Sequence, residues 1–159
     1  TYMKKFSSNG QESGFTLIEI LLVMALIAAL AVIVLIAINP AQKFKQSRDT
    51  QRYTDLNNIA GAVQQYYVDN KGSLPPGIPP STGTPADIKA GGLDLCAILV
   101  PKYLVAMPTD PKFGTAPTAG TTCTGYDSIY TIIQVAGSDR ITLSVPSEAN
   151  PSTPITLTR

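Results

Sequence analysis

Glu19 is the residue whose chemistry most needs explaining. It stands at the edge of residues 20–38, ILLVMALIAALAVIVLIAI, which are apolar without interruption. A carboxylate deep in hydrocarbon costs roughly 2.5–3.5 kcal/mol on insertion scales, and less near the interface. It therefore needs a partner, and Lys4 and Lys5 are too far along the chain to serve. A partner on another molecule would solve the problem. The rest of the chemical inventory is thin. The sequence contains no histidine, which removes His-based acid–base catalysis, Ser–His triads and the commonest metal ligand. It has no phosphate-binding loop, no nucleophile elbow and no paired acids in a pocket-like pattern. Cys96 and Cys123 lack the spacing of a zinc or redox site. In an exported domain they would join in a disulfide worth roughly 3 kcal/mol; otherwise they are two unpaired buried thiols.

The elements that carry these residues follow from composition and periodicity. The chain of 159 residues fits one modest domain plus an appendage. Its net charge of +1 supplies no strong field toward nucleic acid or an anionic surface. The apolar run spans about 28 Å as a helix, close to the hydrocarbon thickness of a bilayer. A removable signal peptide has a shorter apolar region and ends in small residues, whereas Asn39-Pro40 follows here. A plain membrane anchor has the same length and stays open. Pro40 should break or kink the helix. Beyond it, Leu56, Ile59, Ala60, Val63 and Tyr67 recur on one helical face, with Arg48, Asp49, Arg52, Asp55, Asn58 and Gln65 on others. Gly72 and Pro75 stop that helix. Lys43, Lys45, Arg48 and Arg52 form a small basic patch, read as a solvated helix face rather than a nucleic-acid surface. Tyr53, Tyr66 and Tyr67 are read as packing and surface cover.

Residues 73–92, rich in Pro and Gly, read as loop. Residues 93–105 suit a short helix or packed loop interrupted at Pro101. Ser128–Val135, Arg140–Val145 and Pro154–Thr158 read as strands, the first two joined by a turn at residues 136–139. A small antiparallel sheet laid on the helical stripe would complete a core, so the expected fold class is α+β.

The stretch Gly14-Phe15-Thr16-Leu17-Ile18-Glu19, behind a short basic leader at Lys4 and Lys5, resembles the processing site of type IV prepilins and type II secretion pseudopilins. Residues 67–75 and the segments Val100-Pro101-Lys102-Tyr103-Leu104 and Met107-Pro108-Thr109-Asp110-Pro111 are similar to the major pseudopilin. The resemblance implies the pilin fold, a long N-terminal helix packed on a small C-terminal antiparallel sheet. It implies a leader at residues 1–14, a transmembrane and filament-core helix at 15–39, and a periplasmic or extracellular globular domain at 40–159. A prepilin peptidase would cut after Gly14 on the cytoplasmic side and methylate the amine of Phe15. Glu19 would then pair with the Phe15 amine of a neighbouring subunit.

The same resemblance implies a structural subunit and no enzyme. It would wait in the inner membrane as a single-pass protein and polymerise into a helical filament of its own copies, periplasmic or on the cell surface. Its partners would be a platform protein, an assembly ATPase, minor pilins or pseudopilins, and the lipid bilayer before assembly. Whether the filament is a type IV pilus or a type II secretion pseudopilus stays open. The cations after the run outnumber Lys4 and Lys5 before it, so charge alone would reverse the topology; the orientation rests on the resemblance. Some members bind calcium in their loops, and Asp110, Asp127 and Asp139 are the candidate oxygen ligands, although they lack EF-hand spacing. No other cofactor is expected. The alternative from a different class is a single-pass, membrane-anchored binding domain outside the cytoplasm that never polymerises.

Overall fold

A computed structural model describes residues 14–117 and 123–159. The leader expected at residues 1–14 lies outside the described residues except for Gly14. The chain divides into two units, one ending at Pro40 and the other running from Ala41 to Arg159.

In the first unit, helix α1 runs Leu17–Ile38. Thr16 caps it, with extended backbone (φ −77°, ψ 150°) and a side-chain oxygen that accepts from the Glu19 N–H. Such a cap satisfies one of the amide groups that a helix start leaves unpaired. The helix ends because Pro40 has no N–H to donate to the carbonyl of Ile36 and its ring crowds that carbonyl. Asn39 absorbs the break in the left-handed region, φ 47°, which Asn tolerates better than most residues. No residue of α1 is buried. The helix is long and apolar enough to cross a membrane.

Helix α2 runs Pro40–Asp69, with Pro40 at the first position, where a missing N–H costs nothing. It ends through left-handed turns at Lys71 (φ 56°) and Gly72 (φ 85°), the Gly72 N–H donating to the Tyr67 carbonyl at 2.9 Å. At φ 85° a side chain at residue 72 would be strained, which favours glycine. Beyond it come strand β1 (Ala86–Lys89), helix α3 (Cys96–Leu99), and strands β2 (Asp127–Gln134), β3 (Ile141–Val145) and β4 (Ile155–Thr158). The four strands form one antiparallel sheet in the order β1-β2-β3-β4.

Period-two alternation sets the sheet's inner face. Ser128, Tyr130 and Ile132 of β2 are buried, as are Ile141, Leu143 and Val145 of β3. Ile132 lies opposite Leu143. Leu56, Ile59, Ala60 and Val63 of α2 belong to the same core, together with Ile88, Leu95 and Leu99. The expected stripe is therefore the buried one, except that Tyr67, at its far end, is only half-buried. The hairpin between β2 and β3 closes through the Val135 N–H to the Arg140 carbonyl at 2.8 Å, with Gly137 at φ 67°.

The architecture is thus α+β, a long helical N-terminal region plus a small antiparallel sheet. The expectation for residues 73–92 needs correction, because Ala86–Lys89 is a strand. Only Ile88 of β1 is buried, too little apolar content to signal a strand, and its extended backbone comes from pairing with β2. Of residues 93–105, only Cys96–Leu99 is α-helical.

Candidate functional site

The N-terminal segment brings Gly14, Phe15 and Glu19 close to one helix start. Gly14, Phe15 and Thr16 lie outside α1 in irregular chain, and Phe15 is 80% exposed. The peptide between Gly14 and Phe15 is therefore free of helical hydrogen bonding, as a protease substrate must be. The Thr16 cap makes Glu19 the third helical residue, in the first turn of α1. There the carboxylate sits near the positive end of the helix dipole, which favours an anion by roughly 0.3–1 kcal/mol at a solvated surface. Glu19 is the only charged residue of α1, and no described residue pairs with its carboxylate. One end of a long apolar helix thus carries a single exposed acid.

Cys96 and Cys123 are joined in a disulfide with their Cα atoms 5.5 Å apart. Cys96 is in the core. The adjoining turn is held by Tyr126, whose hydroxyl donates to Asp94 Oδ1 at 3.0 Å and accepts from the Cys96 N–H at 3.3 Å. Burial, with Asp94 alongside, pushes the Tyr126 hydroxyl pKa up.

The three calcium candidates do not converge. Asp110 receives Arg52 Nε at 2.5 Å and the N–H groups of Lys112 and Phe113, each at 2.8 Å. Asp127 accepts from the Ile129 N–H at 3.0 Å, and Asp139 from the Tyr67 hydroxyl at 2.9 Å. Among the described residues, no three Asp, Glu, Cys or His side chains gather as a metal site.

The structure also corrects the reading of the polar side of α2. Arg52, taken as part of a solvated basic face, is 1% exposed, and Asp55 is buried as well. Arg52 donates to Asp110 on one side and to Asp49 Oδ1 at 2.6 Å on the other. Asp49 also accepts from Ser147 Oγ at 2.6 Å and from the N–H groups of Glu148 and Ala149, each at 2.9 Å. Glu148 accepts from Arg48 Nε and Nη2, each at 2.7 Å, and from Lys112 Nζ at 2.8 Å. Asp55 accepts from Tyr130 Oη at 2.7 Å and from Gln51 Nε2 at 2.9 Å. Polar residues of α2 thereby hold the loops around residues 110–113 and 147–149.

The electrostatics follow from these contacts. Burial pushes Asp49 up, but bonds from Ser147, from the amides of Glu148 and Ala149 and from Arg52 prevail and hold it at about 2. Arg48 and then Lys112 hold Glu148 at about 2. Burial raises Asp110 too, yet Arg52 and the amides of Phe113 and Lys112 bring it below its ordinary value. Asp55 goes the other way, raised by burial against the bonds from Tyr130 and Gln51. Helical spacing alone could not reveal this, because charged residues on the less apolar side of a helix usually face water. The available signal was the density of opposite charges at Arg48, Asp49, Arg52 and Asp55 in a chain that is only 14% charged.

Residues 9–35 match the family model described as the prokaryotic N-terminal methylation motif. That motif is characteristic of type IV pilins and pseudopilins, and it covers Gly14, Phe15, Glu19 and most of α1. Comparison with curated proteins and with solved structures returns no match.

Proposed function

We propose that this chain is a structural subunit of a type IV pilus-like filament or a type II secretion pseudopilus. The observation that carries the proposal is the methylation motif at residues 9–35, placed on a membrane-length helix whose one charged residue is Glu19. Residues 1–14 are a leader that prepilin peptidase removes after Gly14. Residues 15–39 are the membrane and filament-core helix, and residues 40–159 form the domain outside the cytoplasm. Cleavage frees the α-amine of Phe15, and methylation keeps its positive charge.

The assembly step follows from electrostatics. In the bilayer α1 lies with its exposed apolar surface in lipid, which costs nothing. Glu19 near the interface is tolerable; drawn deeper without a partner it is not. The Phe15 ammonium of an adjacent subunit removes that penalty and fixes the axial register of one copy against the next. Copies of α1 then replace lipid around one another, so burial needs no aqueous exposure at any stage. The chemistry that drives this movement belongs to an assembly ATPase, with a platform protein and minor subunits as further partners. This chain contributes shape, apolar surface and one charge pair, and no catalysis.

Mass spectrometry of the N-terminus in cells with a working peptidase tests the first step. The expected species begins at methylated Phe15; recovery of intact chain through residue 14 overturns the proposal. The Glu19→Ala variant tests the second step. It should be processed and inserted normally but fail to enter filaments. Normal surface display of an unpolymerised, unprocessed chain would instead favour an anchored binding domain.

A further inference from the structure

Four cations follow the apolar helix closely in sequence, and the fold divides them into two kinds. Arg48 is held by Glu148 through two bonds of 2.7 Å. Arg52 is buried between Asp110 and Asp49. Lys43 and Lys45 take part in none of the ion pairs among the described residues. Lys43 Nζ reaches only the neutral side-chain oxygen of Gln46, at 3.3 Å. Between the two lysines stands Phe44, 65% exposed although large and apolar. Lys43 is exposed and Lys45 half-buried.

Successive helical side chains are separated by about 100° around the axis. Lys43, Phe44 and Lys45 therefore point in three directions from the first turns of α2. Lys43 and Lys45 follow Ile38, the last residue of α1, by five and seven positions, about 8 and 11 Å at helical rise. With α1 in a bilayer, that separation leaves their long side chains within reach of the headgroup layer. An aromatic ring suits that layer. Lysine suits it too, because its long stem can lie along apolar surface while the ammonium reaches a phosphate without demanding a fixed geometry.

We infer that Lys43, Phe44 and Lys45 form a collar that selects anionic phospholipids in the leaflet at the C-terminal end of α1. The inference rests on the membrane placement of α1 in the proposed function. Each lysine near an anionic membrane surface strengthens attachment to it roughly fivefold. Arg48 and Arg52 contribute little, because their charge is matched within the fold. The collar steadies the resting subunit, and its contacts must be released when α1 leaves the bilayer.

The test uses the full chain reconstituted in vesicles of equal phosphatidylglycerol and phosphatidylcholine, then released in mild detergent. Mass spectrometry counts the lipids that remain bound. The wild-type chain should retain phosphatidylglycerol over phosphatidylcholine severalfold, with the preference weakened at high salt. The Lys43→Gln/Lys45→Gln variant should retain both lipids equally. The Lys71→Gln/Arg140→Gln variant, changed at two exposed cations elsewhere, should behave as wild type. Retention of the preference in Lys43→Gln/Lys45→Gln, or its loss in Lys71→Gln/Arg140→Gln, overturns the collar. A wild-type chain that fails to float with vesicles overturns the membrane placement, and the collar with it.

Discussion

Replacing Arg52 with Met removes the cation but keeps much of the side chain's volume and length. In the wild type its guanidinium is matched by Asp110, whose side chain is 1% exposed, and by Asp49. Removing it leaves Asp110 buried with only the Lys112 and Phe113 amides for support. Breaking a buried pair by deleting one partner costs roughly 3–5 kcal/mol, because the remaining charge is uncompensated. For a unit the size of Ala41–Arg159, each kcal/mol is worth about 4 °C, so Arg52→Met should lower Tm by roughly 12–20 °C. Adding Asp110→Asn removes the stranded charge and should recover about half of that loss. Thermal unfolding followed by circular dichroism on both variants reads the difference. If Arg52→Met melts within about 1 kcal/mol of wild type, Arg52 is a surface cation and the account of the polar side of α2 fails. If Arg52→Met is too unstable to purify, Arg52→Met/Asp110→Asn still decides, since failure to recover it contradicts the stranded-charge explanation.

Three more outcomes are expected. Asp49 and Glu148 titrate at about 2 in the folded protein, against ordinary values of 3.8 and 4.5. Their stabilisation is therefore complete above pH 4.5 and is lost as pH falls toward 2. Asp55, raised by burial, works in the opposite sense and offsets part of that loss. The urea midpoint should drop across that window, and Asp49→Asn should flatten the drop; a midpoint independent of pH would contradict the contacts described. Reducing the Cys96–Cys123 bond, which links positions 27 apart, should cost about 3.5 kcal/mol in the chain-entropy account. Urea unfolding of Cys96→Ser/Cys123→Ser measures this, and unchanged stability would refute it. A Cβ on residue 114 would lie 2.5 Å from the Asp110 nitrogen and 2.8 Å from its carbonyl oxygen. Gly114→Ala should therefore cost roughly 1–3 kcal/mol, because backbone cannot rotate aside as a side chain can; a neutral result would mean the loop is looser than described.

The sequence by itself determined the features that depend on neighbours along the chain. The apolar run needs no tertiary context to be helical and membrane-length, and Glu19 stands out there because nothing nearby can pair with it. Pro40 ends α1 for a local reason, the missing N–H. The stripe of Leu56, Ile59, Ala60 and Val63 appears at helical spacing, and the apolar–polar alternation of β3 matches its inward face, whereas β2 buries Ser128 and leaves Ile129 and Ile133 half-buried.

Tertiary structure alone decided what depends on partners remote in sequence. Arg52 became a buried residue because Asp110, 58 positions away, comes to it. Asp49 became an anchor because the backbone N–H groups of Glu148 and Ala149 converge on it, and backbone amides carry no identity that a sequence could display. Ala86–Lys89 became a strand because β2 offers it an edge. Of the four cations after the apolar run, two were neutralised and two left unmatched by acids. Helical periodicity treats them alike, and only the placement of Glu148 and Asp110 separates them.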